Sequence, residues 1–131
     1  MKAGVVRIAL FIAVGCTAAA VHLGVVIMLV SALGWTPLAA NVSGWLVAFI
    51  VSFTGHRLLT FGSRRIPLLR AMRRFFAVSS VGFAVNEVTY AALLHLSGLR
   101  YDFLLAAVLL LVAVMTWLLS SRWAFLDSDR S

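Results

Sequence analysis

Three polar side chains inside otherwise apolar stretches have the clearest chemical potential in this sequence. His22, Asn86 and Glu87 lie near the middle of long apolar segments, and Glu87 is the only acidic residue at such a position. Imidazole, amide and carboxylate groups can hydrogen-bond sugar hydroxyls or relay protons, and at membrane depth such groups commonly line substrate or ion paths. The same groups can instead fix helix packing. Both interpretations stay open, and in either case an ionised Glu87 must pair with His22, face a wet cavity or become protonated.

A basic segment follows the second apolar stretch. Arg70, Arg73 and Arg74 share one face at helical spacing behind Pro67, a favourable first residue of a helix. We therefore predict a short basic amphipathic segment at the membrane interface, leading into the next helix. It either attracts anionic lipid in general or binds a specific phosphate headgroup through arginine's bidentate fork. The candidate phosphate ligands in this segment are Arg64, Arg65, Arg73 and Arg74.

Patterns that would indicate catalysis or metal binding are missing. There is one cysteine, Cys16, and no Cys/His cluster has the spacing of metal ligands. No Ser/His/Asp set, phosphate-binding glycine loop or pair of carboxylates occurs. The sequence thus predicts no metal, no cofactor and no enzymatic activity by this chain alone.

Composition defines the class of protein. The 131 residues are 63% hydrophobic and 11% charged, whereas an ordinary soluble domain has about 25% charged residues. Mean hydropathy is +1.08. These values exclude a soluble globular domain, a disordered chain and a disulfide scaffold. The net charge of +7 does not require nucleic acid, because basic residues mark the topology of membrane proteins.

Four membrane helices follow from the apolar blocks. No Lys, Arg, Asp or Glu occurs in residues 8–56, and since about 20 residues cross a bilayer, this block holds two helices. Gly34 and Pro37 mark their break, and Gly98 and Asp102 break the second block. The predicted helices are about 6–33, 38–61, 74–97 and 102–125. Asn41, near the start of the second, is predicted to cap it or to hydrogen-bond across helices.

Basic residues also predict the orientation. Ten of the eleven Lys and Arg residues fall on one side of the four helices, and only Arg100 falls on the other. The positive-inside rule then places both termini and the middle loop in the cytoplasm.

The two halves of the chain resemble each other. A shift of 64 residues gives nine identities, among them Phe11 with Phe75 and Gly34 with Gly98, and it aligns His22 with Asn86. Each half holds two helices, so both enter from the same side as parallel repeats. We predict a single domain, 1–131, with repeats at about 7–63 and 71–127. The polar residues should lie at similar depth near the axis between the repeats.

Several motifs resemble those of the GtrA-like family of small four-helix membrane proteins. That family begins helix 1 with Phe-x-x-Val-Gly, present here from Phe11 to Gly15, and has a central Asn in helix 3, matched by Asn86. Its halves end in a motif like Asn-Arg-x-Trp-x-Phe. The first half here ends His-Arg-Leu-Leu-Thr-Phe from residue 56, and the second ends Arg-Trp-Ala-Phe from Arg122. The resemblance covers about residues 7–126.

This resemblance implies a role with polyprenyl-phosphate-linked sugars at the bacterial inner membrane. Family members are thought to translocate such lipids, and a similar domain anchors polyprenyl-phosphate mannose synthases. The resemblance makes Arg57 and Arg122 the candidate lipid-phosphate ligands at the helix ends, and it makes His22, Asn86 and Glu87 the sugar path. The expected function is that of a flippase or flippase subunit in cell-surface polysaccharide biosynthesis.

Two other functions remain as alternatives. One is a non-transporting anchor for a polyprenyl-phosphate glycosyltransferase, and the other is a small multidrug-type proton-coupled exporter. The expected partners are the sugar lipid, membrane lipids and a membrane glycosyltransferase, with no nucleic acid. The small-residue stripe Ala40-Gly44-Ala48-Ser52 predicts close helix packing within the chain or, alternatively, a homo-oligomer.

The predicted orientation is testable by cysteine labelling in a Cys16→Ser background. We expect an impermeant maleimide applied from outside to label Trp35→Cys and Leu99→Cys, because these positions lie in the two predicted external turns. Ser63→Cys and Ser128→Cys should be labelled only after permeabilisation. External labelling of either serine position would contradict the orientation.

Overall fold

The computed structural model describes residues 2–60 and 67–126, and for the last eleven of these it describes the backbone alone. Helix α1 spans Lys2–Leu33. Helix α2 spans Pro37–Gly55 and continues as a π-helix over His56–Thr60. Helix α3 spans Leu68–Ser97 and α4 spans Tyr101–Leu126. The described residues form helices joined by short turns, which confirms the predicted all-α membrane fold.

Two predicted boundaries are wrong. Helix α1 begins at Lys2 rather than residue 6, so Lys2 and Arg7 lie in its first turns. Helix α3 begins at Leu68, directly after Pro67 at its N-cap, and not at residue 74. Residues 68–74 are good helix formers without Gly or Pro. The described part of the basic segment is therefore the start of α3, while Arg64 and Arg65 lie outside the described residues.

The two turns that join α1 to α2 and α3 to α4 have the same construction. Gly34 and Gly98 adopt positive φ angles of 67° and 64°, a conformation that glycine adopts without a Cβ penalty and that commonly ends helices. Helices α1 and α3 end 64 residues apart, at Leu33 and Ser97, and the helices that follow also begin 64 residues apart. The offset between the two halves of the sequence thus recurs in the backbone.

Consecutive helices pack side by side, and α4 returns to α1 to complete the bundle. The apolar core lies toward the Gly34/Gly98 end and contains side chains from all four helices. Its buried members are Val26, Leu29, Ala40, Tyr90, Leu104, Leu105 and Val108. The Tyr90 hydroxyl donates a hydrogen bond to the carbonyl of Tyr101 at 3.0 Å, so the first residue of α4 satisfies this buried phenol.

Helices α1 and α2 approach closely at Gly44. A Cβ built at Gly44 would lie 2.6 Å from His22 Cδ2, 2.8 Å from Val26 Cγ2 and 2.9 Å from the His22 carbonyl oxygen. The neighbouring stripe residues Ala40 and Ala48 are also buried. The stripe therefore packs within the chain. In the second half of the chain, a shift of 64 residues relates Gly44 to Val108.

Within the described residues, three stretches are long and apolar enough to cross a membrane. They are α1, α2 together with its π-helical end, and α3. Residues Tyr101–Met115 of α4, the part whose side chains are described, form a shorter apolar helix. The chain is a multi-pass membrane protein.

Gly44→Ala should destabilise the bundle by about 1–3 kcal/mol, the usual range for overpacking. Part of the clash is with backbone, which cannot move without separating α1 from α2. Gly24→Ala is the matched control, because nothing lies within 4 Å of its Cβ position. Thermal unfolding in detergent would measure both variants, and equal stabilities would contradict the close approach at Gly44.

Candidate functional site

A polar network links three helices in the middle of the bundle. His22 comes from α1, Asn41 from α2, and Asn86 and Glu87 from α3. His22 and Asn86 each lie eleven residues before the end of their helix, which is about 16 Å at 1.5 Å per residue. That distance is close to the middle of a hydrocarbon layer about 30 Å thick.

Asn41 is the hub of this network. Its amide nitrogen donates to Asn86 Oδ1 at 2.8 Å and to Glu87 Oε2 at 2.5 Å. Its amide oxygen lies 2.7 Å from His22 Nε2. The side chain is fully buried, and both of its N–H groups and its carbonyl oxygen have partners. One residue thus connects α1, α2 and α3.

Glu87 fixes the direction of the hydrogen bonds. A carboxylate accepts hydrogen bonds, so the NH₂ end of Asn41 must face Glu87 and its oxygen must face His22. Because the Asn41 oxygen can only accept, His22 donates to it through Nε2–H. The orientation of each polar group follows from the position of one carboxylate.

The structure brings His22, Asn86 and Glu87 together, but through Asn41 rather than by direct pairing of His22 with Glu87. Of the two roles predicted for Asn41, the hydrogen bond across helices is the one observed. The cap position of α2 is Thr36. The sequence signal for Asn41 was the same as for Asn86, an amide in an apolar stretch, but its central role depends on how α1 and α3 pack around it.

A small groove adjoins the network. Its volume is about 180 Å³, and small, polar and aromatic side chains line it. Trp45 donates to Ser79 Oγ at 2.8 Å and stacks on Phe83 with ring centroids 4.5 Å apart, which holds the indole in place. Polar and aromatic groups beside each other suit a sugar ring, which has both hydroxyls and apolar C–H faces. The lining residues are Ala18, Ala19, His22, Trp45, Ala48, Phe49, Ser52, Phe75 and Ser79.

The predicted phosphate ligands lie at the opposite end of the bundle from Gly34 and Gly98, here called the basic end. Arg57 is half-buried on the π-helix, and Arg73 and Arg74 are exposed in the first two turns of α3. Arg73 and Arg74 line a groove of about 340 Å³ with Pro67, Leu69 and Arg70. The side chain of Arg122 lies outside the described part of the chain.

The network occupies one side of the bundle. A shift of 64 residues relates Asn41 to Leu105 and His22 to Asn86. Asn41 and Leu105 are both fully buried, so the equivalent position in the second half is apolar. Positions 41 and 105 are equivalent and equally buried, but of the two only position 41 carries a polar side chain.

The fold and this network define a multi-pass membrane protein with a polar centre. The family model described as the GtrA/DPMS transmembrane domain matches residues 10–125, and the chain therefore belongs to that family. Membership places it among membrane proteins of glycosyl-lipid-related processes. No curated protein and no solved structure gives a significant match.

Asn41→Leu should destabilise the protein by about 2 kcal/mol, because it removes three hydrogen bonds that contribute about 0.6 kcal/mol each on average within membranes. Leucine has nearly the same shape and occupies the equivalent position 105. Ser80→Ala is the control, since the exposed Ser80 hydroxyl bonds only to the Phe76 carbonyl of its own helix. Thermal unfolding in detergent distinguishes them, and equal stabilities would show that the network does not hold the helices together.

Proposed function

We propose that this protein translocates polyprenyl-phosphate-linked sugars across the bacterial inner membrane, alone or as the translocating subunit of a complex, in cell-surface polysaccharide biosynthesis. The observation that carries the proposal is the polar network at mid-depth beside a polar and aromatic groove. A sugar crossing about 30 Å of hydrocarbon must exchange hydrogen bonds with water for hydrogen bonds with protein. A protein that only needed stable packing could use apolar side chains there.

The three parts of such a lipid correspond to three surfaces of the protein. Its phosphate suits Arg57, Arg73 and Arg74 at the basic end, because arginine pairs well with phosphate oxygens. Its sugar suits the network and groove. Its polyprenyl chain suits the apolar outer surfaces of the helices, such as Val85 and Val88 of α3, and can stay in the lipid throughout.

Glu87 is the residue best placed to receive the sugar. It is only half-buried, whereas His22, Asn41 and Asn86 are buried. A sugar hydroxyl can donate to the carboxylate while Asn41 keeps its own bond to Glu87 Oε2. A bond to an ionised group is worth about 1.5–3 kcal/mol, so Glu87 could replace part of the hydration that the sugar loses.

The orientation of the protein completes the proposal. With both termini in the cytoplasm, the basic end meets the lipid on the side where a membrane glycosyltransferase attaches the sugar. Arg64, Arg65 and Arg122 belong to the same proposed phosphate-binding set. The enzyme would supply the sugar lipid, and this chain, without catalytic activity of its own, would move it.

One observation favours the alternative function of a non-transporting anchor. Among the described residues, no buried side-chain nitrogen or oxygen lacks a hydrogen-bond partner. The network is thus satisfied within the protein, as a purely structural network would be. An anchor would stabilise or position the glycosyltransferase and would not use Glu87 for translocation.

Glu87→Gln tests the proposal in reconstituted vesicles. Glutamine keeps an acceptor oxygen for Asn41 but loses the charge, so the protein should fold while translocation of a short-chain prenyl phosphate hexose falls about tenfold or more. Asp102→Asn is the charge-matched control, because Asp102 pairs with Arg100 at the turn before α4. Full translocation by Glu87→Gln would refute the role of the carboxylate, and an inactive wild-type protein that still supports its glycosyltransferase would establish the anchor.

A further inference from the structure

A second groove lies at the basic end, on the side of the bundle formed by α1 and the π-helix. Its volume is about 450 Å³. It is separate from the groove beside the network and from the arginines at the start of α3, because none of its residues lines either of those. Its lining residues are Lys2, Ala3, Val6, Arg7, Leu10, Leu59 and Thr60.

Two cations line this groove, and no carboxylate among the described residues balances them. The described residues contain two acidic side chains, Glu87 and Asp102. Glu87 accepts from Asn41, and Asp102 pairs with Arg100 at 2.9 Å. Within the described part of the chain, Lys2 and Arg7 therefore present uncompensated positive charge. Such a pair near the membrane surface attracts an anionic headgroup.

An apolar groove continues from this basic one toward the membrane centre. It has a volume of about 200 Å³ and runs between α1 and α2. Leu10 and Leu59 line both grooves, so the two adjoin each other. Gly55 forms part of the floor, where its missing side chain leaves Val14 in direct contact with α2. The other lining residues are Ala13, Val51 and Thr17, whose hydroxyl bonds to the Ala13 carbonyl of its own helix.

The π-helix forms the wall that joins the two grooves. A π-helix has a wider turn than an α-helix; such segments are rare and frequently occur at functional sites. His56 Nδ1 lies 3.2 Å from Thr60 Oγ1, and the His56 ring packs against Phe11 of α1 with centroids 4.6 Å apart. These contacts hold Leu59 and Thr60 against α1.

We infer that these two adjoining grooves together bind a phosphate-bearing lipid, with the phosphate between Lys2 and Arg7 and the hydrocarbon chain beside Leu10, Ala13 and Leu59. Positive charge beside an apolar groove is complementary to the charged headgroup and the hydrocarbon chain of an anionic lipid. A free anion would contact only the charged part of the site. This site is distinct from the proposed phosphate set at Arg57, Arg73 and Arg74. It is a binding site, and it stands whether or not the protein translocates sugars.

Binding of farnesyl phosphate to the full chain in neutral detergent tests the inference, with farnesol and inorganic phosphate as comparison ligands. Lys2→Gln/Arg7→Gln should weaken farnesyl phosphate about tenfold and leave farnesol unchanged. Arg100→Gln removes a positive charge at the opposite end of the bundle, outside every proposed phosphate site, and should have little effect. Unchanged farnesyl phosphate binding in the Lys2/Arg7 variant would place the phosphate elsewhere and overturn the site.

A second pair of variants tests the apolar part. Ala13→Trp fills the groove and should weaken farnesyl phosphate and farnesol severalfold, whereas Ala20→Trp places the same bulk on an exposed position of α1 outside it. Should Ala13→Trp fail to fold, Ala13→Leu gives a smaller obstruction with the same expected direction. Equal effects at positions 13 and 20, or inorganic phosphate binding as tightly as farnesyl phosphate, would overturn the assignment to a lipid.

Discussion

The hydrogen bonds of Asn41 are the interaction on which the rest of this structure depends. In hydrocarbon there is no water to satisfy a polar side chain, so each such group must find its partners within the protein. Asn41 meets this requirement for His22, Asn86 and Glu87 at once, because one amide has two donors and an acceptor. The same three bonds fix the positions of α1, α2 and α3 relative to one another. The structural role and the proposed role in sugar binding therefore fall on the same side chains.

Close packing makes these bonds feasible. Without a side chain at Gly44, the His22 backbone and ring come directly against α2. Lipid offers no hydrophobic driving force between apolar helices, so small residues and interhelical hydrogen bonds hold them together. In the second half, Val108 and Leu105 replace Gly44 and Asn41, and that helix pair relies on apolar packing around Tyr90. The first helix pair therefore meets around polar side chains and the second around apolar ones. As a result, the buried polar side chains lie on one side of the bundle.

The two ends of the bundle also differ. The turns at Gly34 and Gly98 are short and carry one charged pair, Arg100 with Asp102. The opposite end carries several arginines and the π-helix that closes α2. Among the described residues, the excess positive charge that would meet a lipid phosphate lies at that end, while the buried polar network that would meet its sugar lies at mid-depth. Because these two regions are separated along the membrane normal, the proposed substrate would bind with its phosphate at the basic end and its sugar toward mid-depth.

The amino-acid sequence was enough to predict the class of protein, its four helices, their two glycine turns and the offset of 64 residues, because hydropathy and backbone conformation are local properties. It also identified His22, Asn86 and Glu87, since polar residues at membrane depth are conspicuous in an apolar chain. It placed the start of α3 too late, because arginines near an interface do not end a helix. The folded chain was needed to show that Asn41 hydrogen-bonds to all three residues. It was also needed to show that Gly44 lets α1 and α2 approach closely enough for these bonds. Those outcomes depend on which faces of separate helices meet, and no spacing along one helix contains that information.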